Sequence, residues 1–394
     1  MNPRLLPLFV APACALAFAC VSPVPEPAPG YVIDVPPQPD AGADADLDAA
    51  VPAFPFRPQN FGIDELRYQR LVDVTVSSRC ELDGESTDLC GEENVGTALV
   101  RQSDGTDLRV LYARSIRVMP NASIAIKGPT PVAIVALRDF EILGSIDASA
   151  RWDGQSPGGF QSPRKSESTG GGPGGGGAGS PSNGGGGGAY CGQGGTGGSV
   201  GGAATEGGKP YGNPEIAPLV GGSGGGVGGV ASAGTGGGAV QLVAGGKLTV
   251  AKSGVIAAGG GYGNFWGAPN LQQGAGGGSG GAILIEATEV ALAGTLAANG
   301  AGGGAHLDGK DAQPSANAAL GGTSPNGSKG GSGSAGDEAR GGDALWAGGD
   351  NAPGGGGGAG RIRINSKSGA PITGGVLSPS PASSCATFGA IKPL

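Results

Sequence analysis

Acid–base chemistry needs ionisable side chains held close together, and this chain gathers few of them. The segment SIDASARWDG places Asp147, Arg151 and Asp153 near one another at the end of an apolar stretch. Polysaccharide-cleaving enzymes use a carboxylate pair as acid and base, or a base assisted by a cation beside a uronate. These three residues form the one enzyme-like group in the sequence. A turn residue explains Asp147 equally well, and the later repeats described below carry Ala257, Ala298 and Asn299 at the equivalent positions. The single histidine, His306, stands in a glycine-rich run (GGGAHLDGKDA) and reads as a solvated side chain. No HExxH, CxxC or paired-histidine spacing occurs, which argues against zinc. Asp44, Asp46 and Asp48 are spaced like the start of an EF-hand loop but lack its glycine and closing glutamate. Asp337, Asp343 and Asp350 lie among glycines without the recurring register of calcium-binding repeats. GxGxxG matches arise here from composition, and none sits between a strand and an amphipathic helix. No metal, cofactor or nucleotide is expected.

Aromatic side chains are a second source of chemistry. Tyr190, Tyr211, Tyr262, Phe265, Trp266 and Trp346 punctuate long glycine runs, and Trp152 opens the first of these. Exposed rings would stack on sugars; rings turned inward would pin glycine segments that have little else to bury. Cys80 and Cys90 bracket the acidic loop CELDGESTDLC, which reads as a local disulfide. Cys191 and Cys385 then either pair, stapling a glycine run to the C-terminal tail, or stay free.

The elements that must position these groups are repeats. VAIVALRDFEILGSIDA begins at Val132, VQLVAGGKLTVAKSGVIAA at Val240 and ILIEATEVALAGTLAANG at Ile283, with a weaker copy from Ile362. Each holds three short period-two alternations, the pattern of half-buried strands. The inward candidates run Val132, Ile134, Phe140, Ile142 and Ile146 in the first copy, and a corner glycine (Gly144, Gly254, Gly294) precedes each third strand. The segment RVLYARSIRVMPNASIAIKG, with Ile116, Val118, Ile124 and Ile126, has the same texture. The expected fold is all-β: a parallel β-solenoid of about four to five coils over 109–374. Residues 61–108 are expected to cap one end, and a C-terminal tail, 375–394, the other.

Between the repeats lie glycine-rich insertions, at 154–238, 259–281 and 300–360. All three leave after a third strand and return before a first strand, so a solenoid would bring them out at one corner. Ordering glycine is costly, and disorder is the default on that ground. Against it, long structureless loops are uncommon in a compact domain, and side-chain-free segments can pack closely through their backbones in a polyproline-II-like manner.

The 394-residue chain carries 14% charged residues and a net charge of −8. That balance, with no basic cluster, argues against nucleic acid. Arg4, the apolar run 5–19 and the small-x-small triplet Ala17-Phe18-Ala19 read as a signal peptide over 1–19. Cys20 follows directly and resembles the lipidated cysteine of a bacterial lipobox, although Leu16 stands one place early. Lipidation of Cys20 would leave Cys80, Cys90, Cys191 and Cys385, an even set. Residues 20–60 then form a Pro/Ala/Asp-rich tether.

The phrases GGSGGAILIEA, LAGTLAANGAGGG and GGGGGAGRIRIN, together with the leader, resemble bacterial glycine-rich surface lipoproteins. The likeness to PE-PGRS proteins is one of composition only, because their helical Pro-Glu domain is missing. The repeats also look like right-handed parallel β-helix proteins, a fold shared by adhesins and polysaccharide lyases. The resemblance implies a protein secreted across the inner membrane and held by its lipid at the outer membrane, exposed at the surface. Its expected role is structural or adhesive, towards polysaccharide, another surface or its own kind. The alternative is a polysaccharide lyase or hydrolase on the same scaffold.

Overall fold

Alternation of aliphatic with small or polar residues gives strands with one dry face, and here equivalent strands of successive repeats lie side by side in parallel. The first pair is β1 (Asp73–Val76) and β2 (Arg79–Leu82); β3 (Gly96–Arg101) turns back antiparallel to β4 (Asp107–Ala113). Next come β5 (Ser115–Val118), β6 (Ser123–Ile126), β7 (Val132–Ala136), β8 (Phe140–Ile142) and β9 (Ser145–Asp147). The later repeats supply β10 (Ala239–Val250), β11 (Val255–Ala257), β12 (Ala282–Leu292), β13 (Thr295–Ala297), β14 (Arg361–Ser366), β15 (Val376–Ser378) and β16 (Ala386–Ala390). Two sheets result. One has ten strands, with β3, β4, β7, β10, β12, β14 and β16 along one row and a second row, β1, β5 and β8, that joins it where β8 pairs with the far half of β10. The other has six, in the order β15-β13-β11-β9-β6-β2. The protein is all-β with parallel sheets.

This computed structural model describes residues 54–66, 71–151, 154–162, 168–229, 231–265, 273–372 and 374–394. The signal peptide, Cys20 and most of the tether lie outside the described residues, as do Trp152, Asp153 and Trp266. The described residues fall in one unit, Ala50–Leu394.

Register ties the copies together. Ile134, Leu242, Ile285 and Ile364 align across successive strands, as do Ile146, Ile256 and Leu296. These side chains form the main core between the sheets, joined by Ile116, Val118, Ile124, Ile126, Phe140 and Ile142. The first and second strands expected of the copies from Val240 and Ile283 run together as one long strand, β10 and β12, whose register shifts at Gly245–Gly246 of β10. The corner glycines are needed for space. A Cβ on Gly144 would overlap the Ala122 carbonyl, and one on Gly294 would overlap that of Gly254. Pairing also extends beyond 109–374, through β1 and β2 at one end and β15 and β16 at the other.

A second core lies on the outer face of the ten-stranded sheet. Phe54, Phe56, Phe61 and Leu66 cover Leu108, Val110, Val135, Val243 and Leu284. Residues 54–60, expected to end a solvated tether, therefore pack as a strap, because three phenylalanines within 54–61 have an apolar sheet face to bury against.

Candidate functional site

Asp147 ends β9 at the corner where the first insertion leaves the sheets. Its Oδ1 accepts the Ser149 backbone N–H at 2.9 Å, so the carboxylate closes its own turn. Arg151 is exposed. With Asp153 outside the described residues, no carboxylate pair is formed there among those described.

The insertions are hydrogen-bonded to one another with a period of three. Gly274, Gly277 and Gly280 donate their N–H groups to the carbonyls of Ala352, Gly355 and Gly358, at 2.8–3.0 Å. Ala275, Gly278 and Gly281 donate to Asn264, Gly261 and Ala258, in the opposite direction, and Gly276 and Ser279 donate to Gly226 and Ser223. Each segment thus addresses three neighbours in turn, as an extended helix of three residues per turn must. All three insertions take part: Gly185 donates to Gly274, Gly277 to Gly355 and Gly355 to Gly185. They form a single lobe.

Packing this close leaves little room for side chains inside. A Cβ on Gly276 would overlap the Gly186 carbonyl, and on Gly187 that of Gly356. Larger side chains are mostly turned outward, in places every third residue, while Val227, Ala231, Ala233 and Ala275 form a small apolar cluster within the lobe. Leu307, Lys310 and Gln313 are exposed, as are Lys329 and Ser332, and Arg340, Asp343 and Trp346. The few polar side chains inside serve as extra acceptors: the Ser279 hydroxyl takes the Ser223 N–H and the Ser334 hydroxyl that of Gly300. At the edge, Asp343 takes the Thr196 N–H at 2.8 Å, and its ion pair with Arg340 pulls its carboxyl down to about 2.

The aromatic residues divide. Tyr190 is 1% exposed, with its ring 4.8 Å from that of Tyr211 and tilted 41° to it, beneath the Arg361 guanidinium. Tyr211 donates its hydroxyl proton to the Gly221 carbonyl at 2.6 Å and accepts one from Ser223. Burial pushes both phenols up. Tyr190 has no face open to sugar, which corrects the stacking expectation for that residue, and Tyr211 is half-buried; the pair roots the lobe on the sheet. Tyr262 and Phe265 are half-buried, with their N–H groups held by Asp311 and Asp308, and the Phe265 ring lies 5.2 Å from that of His306. Trp346 is 38% exposed and donates Nε1–H to the Gly349 carbonyl. It keeps the stacking role open.

Cys80 and Cys90 are at disulfide distance, and so are Cys191 and Cys385, which join the first insertion to the residue before β16. The sequence reading missed one polar site. Glu286, on the outward row of β12, is 1% exposed and is held by Gln59, Gln241 and Asn365. Its signal was a charged residue inside the apolar run ILIEA. Among the described residues no group of histidine, cysteine and acidic side chains could hold a metal, and no helix is long and apolar enough to cross a membrane. Comparison of the chain with protein families, with curated proteins and with solved structures found no match.

Proposed function

We propose that this is a surface-displayed structural or adhesive protein, whose parallel strands are successive coils of a β-solenoid and whose glycine lobe presents a stiff face to polysaccharide or another cell surface. The observation that carries the reading is the period-three bonding of the lobe. It sets a regular spacing along the glycine segments, and a repeating surface favours many weak contacts over one deep pocket. Exposed Leu307, Leu345 and Trp346 give that array apolar contact points. The leader, Cys20 and the Pro-rich segment after it support a lipid anchor at the outer membrane, with the lobe held away from it.

The test is retention of residues 50–394 on a panel of bacterial and plant polysaccharides, with release of shorter sugars followed in the same tubes. Retention without cleavage is expected, weakened about tenfold by Trp346→Ala, the loss of one stacked ring. Cleavage products that vanish with Asp147→Ala would replace this reading with the lyase or hydrolase. No retention on any polymer would leave a spacer.

A further inference from the structure

The N-terminal strap is tied to the sheet beneath it through one buried ionisable group. Glu286 Oε2 accepts the Gln59 backbone N–H at 3.0 Å and the Gln241 side-chain amide at 2.7 Å, and Oε1 accepts the Asn365 amide at 3.1 Å. Three elements therefore meet on one carboxyl: the strap, β10 and β14. Asn60 strengthens the join, donating to the Gln241 side-chain oxygen and to the Ile216 carbonyl. None of the groups bonded to Glu286 is a cation. The charges around it stand further off. Lys392 lies on the C-terminal segment, and its backbone carbonyl holds the N–H of strap residue Arg57 at 2.9 Å. Arg363 on β14 is one bond removed, with Nε on the Asn365 oxygen at 2.7 Å.

A carboxylate cut off from water is costly in its charged form, and the three neutral donors offset that cost only in part. Lifting the strap would take away Gln59 and admit water to Glu286, relieving that cost. We propose that Glu286 makes the strap a pH-responsive clasp, held tightly when the carboxyl is protonated and more loosely when it is ionised.

The sign follows from linkage. Burial pushes the Glu286 carboxyl above its ordinary 4.5, against the pull of Gln59, Asn365, Gln241 and Lys392. A docked strap that holds this proton more tightly than a lifted one is favoured at low pH. As pH rises from 4.5 through the raised value the advantage is lost, by up to about tenfold per pH unit, and it levels off above that value. Loosening exposes Phe54, Phe56 and Phe61 together with the face of Val243 and Leu284 they cover.

Hydrogen exchange of the strap amides in the intact chain tests this, corrected at each pH for the intrinsic exchange rate. Protection of Gln59 to Phe61 is expected to fall about tenfold or more between pH 4.5 and about pH 8 in the wild type, and to stay level in Glu286→Gln. Lys392→Met, a change at an exposed side chain, keeps the test alive if Glu286→Gln does not fold. Without that cation the midpoint moves to higher pH. Wild-type protection that ignores pH, an unchanged response in Glu286→Gln, or an unmoved midpoint in Lys392→Met would each overturn the clasp.

Discussion

Gly276 has the Gly186 carbonyl where a Cβ would stand, and the glycine content of the insertions follows from many such contacts. Substitution by alanine forces two backbones apart in a place where neither is the end of a flexible side chain. Overpacking of this sort costs about 1–3 kcal/mol. Gly276→Ala is therefore expected to lower the unfolding midpoint, whereas Gly202→Ala, which meets nothing closer than 3.4 Å on an exposed turn, leaves it nearly unchanged. Thermal unfolding of the two variants side by side measures the difference. In sequence these two glycines look alike. What separates them is the nearness of residues 186 and 276, which neighbouring letters do not encode. Lys329, Ser332, Asp343 and Trp346 interrupt glycine where the lobe meets water, a placement the sequence alone did not single out.

Among the elements, the strands were read well because each carries its own signal. The alternation at Val240, Leu242, Leu248 and Val250 named the side chains that enter the core, and the repeat phrases align in the register their likeness implies. The glycine segments carry no such signal. Fixing one residue costs about 1–2 kcal/mol, more than the about 0.5–1.5 kcal/mol that a backbone hydrogen bond returns, so hydrogen bonds alone do not hold the lattice. Its security comes from where it is fastened: the strands at both ends of each insertion, the Tyr190–Tyr211 pair under Arg361, and Cys191–Cys385. That disulfide closes 194 residues of chain, against 10 for Cys80–Cys90. On loop-closure entropy its removal should cost about 2–3 kcal/mol more. Denaturant unfolding of Cys191→Ala/Cys385→Ala against Cys80→Ala/Cys90→Ala checks this, and equal losses would mean that the lobe holds without its staple.

Across the described residues, two larger cores and a lobe share the ten-stranded sheet. Its inner face packs against the six-stranded sheet, and its outer face carries the strap and the Tyr190–Tyr211 root of the lobe. The inner core was legible and the outer one was not, because Phe54 and Phe56 sit in a stretch whose prolines and acids suggest solvent. Glu286 became intelligible only once Gln59 and Asn365 were placed beside it. A surface role requires the insertions to be one ordered body, since only then do they present a surface. Backbone order parameters from ¹⁵N-glycine-labelled protein address that claim directly. Glycines of the inner segments, Gly185, Gly276, Gly278 and Gly356 among them, are predicted to match the strands at about 0.85, whereas values below about 0.6 would make the lobe a set of flexible loops and contradict it.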